Sequence, residues 1–122
     1  MARDRIGIAR VYDGPGPDDG TRVLVDRLWP RGLSKDRAHV DVWLKDVAPS
    51  KELRKWYAHD PDKSAEFARR YREELADDEH AAAVDELRDL VARGRVTLLT
   101  ATKDLELSQA PVLAGHLEGD GD

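Results

Sequence analysis

Two short runs, Val23-Leu24-Val25 and Val96-Thr97-Leu98-Leu99, place an apolar or β-branched side chain at every position instead of every second one. A strand has that composition when both of its faces are covered, as in a parallel sheet packed by helices, and not when one face is wet. The second run is reached only through a long stretch of helical periodicity, so it joins the sheet by a crossover, which makes it parallel to its neighbour. The expected fold is a small single-domain α/β structure, with a mostly parallel sheet of three to four strands flanked by helices. A length of 122 residues suits one domain over 1–122.

The remaining elements follow from periodicity and caps. Ile6 to Tyr12 alternates as a first strand, and the Gly, Pro and Asp residues of 13–20 make a loop. Thr21 to Arg27 is the second strand, whereas Arg37 to Val47 fits a strand and a short helix equally well. Ser50 caps a short helix to about His59. Asp60 and Pro61 open the next, which runs to about Ala76 with Phe67, Tyr71 and Leu75 on one stripe. Val84, Leu87, Leu90 and Val91 mark a third helix ending at Arg93, with Gly94 as its left-handed cap. Arg95 to Ala101 is the last strand, and Ser108 caps a final helix with Val112, Leu113 and Leu117 turned inward.

Composition removes several classes of function. There are no cysteines, which excludes disulfides and thiolate metal sites. His39, His59, His80 and His116 are scattered, none at metal-ligand spacing, so no metal site is expected. No apolar stretch approaches the roughly 20 residues that span a bilayer, and no signal region follows Met1, so the expectation is a cytoplasmic protein without a membrane partner. A net charge of −5 argues against a dedicated DNA binder. The charge is unevenly placed: residues 1–58 carry twelve Lys and Arg against nine Asp and Glu, residues 59–122 eight against sixteen.

The basic half contains the most unusual stretch, "VDRLWPRGLS" at 25–34. In an open α/β sheet, ligands collect at the carboxyl ends of the strands, where loops converge and helix N-termini offer free N–H groups. Two segments qualify: Asp26 to Gly32 after the second strand, and Thr102 to Gln109 after the last. If both strands run the same way, Arg27 or Arg31 and Lys103 converge near the amides of Ser108, Gln109 and Ala110, and form an anion site. Arginine grips a phosphate or carboxylate with two parallel hydrogen bonds, and Lys supplies a point charge. Trp29 offers a flat apolar wall. Asp26 and Asp104 are the candidates for proton transfer, with structural ion pairing as the plainer role for each. Trp56 and Tyr57 beside Arg54 and Lys55 fit a core stripe better than a partner surface. No phosphate-loop glycine pattern and no nucleophile elbow is present, so the residues identify no cofactor.

The stretches "VLVDRLWPRGLSK", "VDVWLKDVAPSKELRKWYAHDP" and "FARRYREEL" resemble the YeaO-like family of bacterial proteins, domain of unknown function 488. The resemblance covers nearly the whole chain and implies a compact α/β fold with no assigned activity. Members of that family usually follow the last strand with Lys-Asp, then a histidine and an asparagine before the final helix. Lys103 and Asp104 match; Leu107 and Ser108 stand where the other two are expected. A larger branch of the superfamily carries Cys-His-Arg near this point, and this chain has neither that thiol nor that imidazole. The departure weakens an enzymatic reading more than a binding one.

The resulting expectation is a small anionic ligand, phosphate- or carboxylate-bearing, held by Arg27, Trp29, Arg31, Lys103, Ser108 and Gln109, with an enzymatic role left open. The alternative is a nucleic-acid or acidic-protein binding module that uses the basic face of residues 22–37. A homodimer burying Trp43 and Trp56 is a third possibility.

Overall fold

A computed structural model describes residues 6–119. Its strands are β1 (Ile6–Arg10), β2 (Thr21–Leu24), β3 (Val42–Trp43) and β4 (Val96–Thr100), and its helices are α1 (Lys35–Ala38), α2 (Lys51–Tyr57), α3 (Ser64–Leu75), α4 (Asp78–Arg93) and α5 (Ala110–Gly119). Short 3-10 turns occupy Lys45–Val47, Pro61–Lys63 and Leu105–Leu107. The strands form one sheet in the order β1-β4-β2-β3. Every neighbouring pair is parallel, with Val23 beside Leu98 and Ile8 beside Leu98 on the other side. The expected α/β fold is therefore observed, and β1 and β2 run in the same direction.

Both faces of the sheet are covered, as the continuous apolar runs require. Val23, Val25, Val96 and Leu98 point into the main core with Phe67, Tyr71, Leu75, Val84, Leu87 and Leu113 from the long helices. Leu24 and Leu99 point the other way, into a thinner cluster with Val11 and Ala38, closed by Trp29, Leu33 and Val40. Tyr57 stacks on Phe67 at 4.0 Å between ring centroids, and the buried Tyr71 hydroxyl donates to the Val47 carbonyl. Side chains of Ser34, Ser50, Asp60 and Asp77 cap the turns and helices that follow them.

Several boundaries differ from the sequence expectation, each for a local reason. The pairing of β2 stops one bond after Leu24, with Val25 N–H donating to Leu99 O at 3.0 Å, because the Asp26 carboxylate takes over the next donors of the partner strand. The ambiguous stretch 37–47 is neither one strand nor one helix: it divides into the end of α1, the two-residue β3 and a 3-10 turn. Residues 61–63 form a 3-10 turn before α3 begins at Ser64. Gly94 is extended, at φ 165° and ψ −168°, so it ends α4 without a left-handed cap.

The loop 11–20 carries the chain from one side of β4 to the other, and two devices hold it. Gly20 has φ +66°, and a Cβ there would lie 2.1 Å from the Arg95 carbonyl oxygen. That same oxygen accepts the Thr21 N–H at 2.9 Å. Arg22, only 4% exposed, gathers the rest: its guanidinium pairs with Asp19 and donates to the carbonyls of His39, Ala38 and Asp13. It is therefore withdrawn from any basic face formed by residues 22–37.

Two outcomes are expected. Gly20→Ala must shift backbone against backbone and leave the left-handed region unfavourable, so denaturant unfolding should show a loss of at least about 2 kcal/mol. The Asp19 carboxyl is held below its ordinary value of 3.8, chiefly by the Gly16 N–H and then by Arg22. A carboxyl with a lowered folded value contributes stability above its unfolded value and loses it as pH falls through the folded one. Unfolding free energy measured from pH 5 downward should thus decline less steeply in Asp19→Asn than in the parent.

Candidate functional site

The loops leaving β2 and β4 meet at the carboxyl edge of the sheet, and Asp26 joins them. One carboxylate oxygen accepts from Thr100 Oγ1 and from Gln109 Nε2, both at 2.7 Å, and the other accepts the Ala101 N–H at 2.7 Å. Gln109 also donates to Val25 O at 3.2 Å, so its amide links the start of the last helix to the end of β2. The Asp26 carbonyl accepts from Trp43 Nε1 at 2.8 Å, and Trp43 meets Trp29 edge to face at 5.5 Å.

Beyond this knot the chain makes a turn that projects Arg31. Leu33 N–H reaches Pro30 O at 3.4 Å and Gly32 has φ +76°, the positive angle that the third position of a type II turn requires. Tyr12 Oη donates to Arg31 O at 3.1 Å and Trp29 Nε1 to Leu33 O at 2.6 Å, so the turn is fixed from both sides.

A cleft of about 560 Å³ opens over this edge. Residues 26–31 form one wall, α2 and the turn after it contribute Arg54, Tyr57, Ala58 and His59, and Phe67, Thr102, Leu107 and Gln109 are also part of the lining. Three guanidinium groups, Arg27, Arg31 and Arg54, face a lining whose one carboxylate among the described residues is Asp26. That carboxylate is occupied, and none of the three arginines forms an ion pair among the described residues. Arg27 donates weakly to Ala48 O at 3.4 Å, while its buried Nε finds no acceptor among the described residues. The Ala48 carbonyl is shared with His80 Nε2 at 3.0 Å, and His80 Nδ1 lies 2.7 Å from Asp77, whose carboxyl that contact lowers. Burial, then the charges of Asp104 and Asp60, push the Tyr57 phenol up, so it remains a protonated donor at neutral pH.

Of the residues singled out from sequence, Asp26, Arg27, Trp29, Arg31 and Gln109 share this cleft. Lys103 and Asp104 do not line it. Just before the 3-10 turn at Leu105–Leu107, they line a shallow depression with Arg10, Asp13 and Glu106. Two of the three expected helix-opening amides, those of Ser108 and Ala110, are engaged within the chain. Ser108 N–H donates to Leu105 O, Ala110 N–H meets Ser108 Oγ, and Ser108 is buried. Arg54, Tyr57 and Phe67 were not anticipated at the site, because their spacing on helices marks them as solvent-facing charge or core and says nothing about which end of the sheet they reach. Trp43 and Trp56 are partly covered within the chain, Trp43 by Trp29 and Trp56 by the Arg70 guanidinium at 4.2 Å.

These features define a small parallel α/β protein with an arginine-lined cleft at its strand ends. A family model described as the inactive DUF488-N3 subclade matches residues 5–121, and the chain belongs to that family. It is 56% identical over 120 residues to uncharacterized proteins of Mycobacterium tuberculosis and Mycobacterium bovis, covering 98% of this chain and 99% of each of theirs. It is 41% identical over 108 residues to the uncharacterized protein YeaO of Escherichia coli, covering 88% of this chain and 92% of YeaO. No solved structure gives a significant match. The resemblance seen in the "VLVDRLWPRGLSK" segment is thus a family relationship.

Asp26→Ala would strand the Ala101 N–H and one of the two Gln109 side-chain N–H groups and release one loop from the other. Chemical denaturation should show a loss of about 3 kcal/mol, since each buried donor left without a partner costs about 1–3 kcal/mol.

Proposed function

We propose that the cleft binds a small phosphate- or carboxylate-bearing anion and holds it without chemical conversion. The observation that carries this reading is the set of three arginines, Arg27, Arg31 and Arg54, gathered around a carboxylate that is already fully engaged. Guanidinium groups that form no ion pair within the chain attract an oxyanion, and the forked donors of Arg suit phosphate and carboxylate alike. Tyr57 can add a neutral donor from the opposite wall.

Binding without catalysis is favoured by what lies around these cations. The chain has no thiol, Leu107 lines the cleft where the family resemblance led to expect a histidine, and both oxygens of Asp26 are spent on holding the loops. The word "inactive" in the description of the matching subclade agrees with this. We place the protein in the cytoplasm on the same footing, supported by a cysteine-free composition and by the lack, among the described residues, of a helix long and apolar enough to cross a membrane.

Isothermal titration with phenyl phosphate and citrate should detect binding that Arg27→Ala and Arg54→Ala each weaken about tenfold or more, the cost of losing one charge-assisted pair. Raising NaCl from 50 to 500 mM should weaken it far less than a polynucleotide complex, whose affinity falls by about one power of salt per phosphate neutralised. Folded variants that bind as well as the parent would refute the assignment, and a steep salt slope with an oligonucleotide would favour the nucleic-acid alternative.

A further inference from the structure

The cleft's dimensions and its remaining lining constrain what the anion is attached to. Bare phosphate or acetate fills the space of a few water molecules, each about 30 Å³ in the liquid. The cleft measures about 560 Å³, within the range of roughly 300–1,000 Å³ typical of pockets that enclose an entire metabolite-sized molecule. A lone oxyanion seated on the arginines would leave most of that volume, and most of the apolar wall, in contact with water.

That wall is made of rings and branched side chains from two separate clusters. Trp29 comes from the thinner cluster with Leu24 and Leu99, and Tyr57 and Phe67 come from a stack on the main core, with His59 edge to face on Tyr57 at 5.8 Å. At the lip, Leu28 is 72% exposed, the most exposed of the large apolar side chains among the described residues. Leu107 stands on the wall supplied by the loop after β4. Leu28, Trp29 and Leu107 thus give the arginine-lined cleft an apolar side on which a ring can lie.

We propose that the occupant is an amphipathic anion: a single phosphate or carboxylate group carried on a flat, ring-sized apolar body, with the charged end on Arg27, Arg31 and Arg54 and the ring against Trp29, Leu28 and Leu107. The proposal rests on the anion-binding reading above and adds the chemical class of the ligand. Guanidinium groups beside aromatic faces bind the two ends of such a molecule by different forces, and these forces reinforce one another only when one ligand carries both ends.

Titration of the full chain with five probes separates the two readings: inorganic phosphate, acetate, phenyl phosphate, benzoate and the neutral phenol. Phenyl phosphate and benzoate should each bind at least about thirtyfold more tightly than the bare anion they contain, from burial of one ring. Phenol should bind more weakly than either, and the stronger of the two aryl anions identifies the charged group preferred. Leu28 is exposed, so Leu28→Ser leaves the core intact; it should weaken the aryl anions by about fivefold to tenfold and leave inorganic phosphate unchanged. If phosphate binds as tightly as phenyl phosphate and Arg54→Ala weakens both, the cleft is an anion site and the amphipathic ligand is wrong. If phenol matches phenyl phosphate and Arg54→Ala changes nothing, the anion site itself is wrong.

Discussion

The Asp26 carboxylate is the point at which fold and site become one structure. It stands where the β2–β4 ladder ends and replaces the missing backbone acceptors with its own two oxygens, taking the Ala101 N–H, the Thr100 hydroxyl and the Gln109 amide. A carboxylate engaged by several donors at a strand end fixes the direction in which the following residues leave. Arg27 and Trp29 are therefore placed by a hydrogen-bond network and not by loop chance. The same engagement has an electrostatic consequence. The one carboxylate in the cleft faces its own strands, and Arg27, Arg31 and Arg54 form no ion pair among the described residues.

The scaffold around this knot is economical. A four-stranded parallel sheet with a full core on one face and a thin one on the other leaves the carboxyl edge bordered by material from both. The thick side contributes Tyr57 and Phe67, whose packing is that of core residues; the thin side contributes Trp29, whose indole closes a small cluster and is anchored by its N–H. The cleft walls are thus the exposed margins of side chains held by the core, the kind of support that keeps a binding site in shape without a ligand.

Much of this was legible from composition along the chain, and the reasons are physical. β4 was recognisable because burial on both faces leaves only apolar and β-branched residues in the strand, and all five of them are buried. The cap at Ser50 was recognisable because its hydroxyl satisfies an N–H group only one turn away. The stretch 26–32 stood out because arginines, a tryptophan and an aspartate around a Pro-Arg-Gly turn have no reason to cluster in an ordinary connection. Arg54, Tyr57 and Phe67 were hidden because helical spacing records which face of a helix is buried, not which end of the sheet it approaches. Lys103 and Asp104 were expected to join the arginines but line the depression with Arg10 and Asp13, and a segment that short carries no periodic pattern to record which side it takes.

The central claim, that Asp26 leaves a set of uncompensated arginines at one edge of the sheet, is tested most directly by NMR of the arginine Nε–Hε groups during titration with phenyl phosphate. The account expects the signals of Arg27, Arg31 and Arg54 to move together to saturation, while those of the ion-paired Arg22 and Arg69 stay in place. Signals that do not move, or that drift together across all surface arginines without saturating, would contradict it.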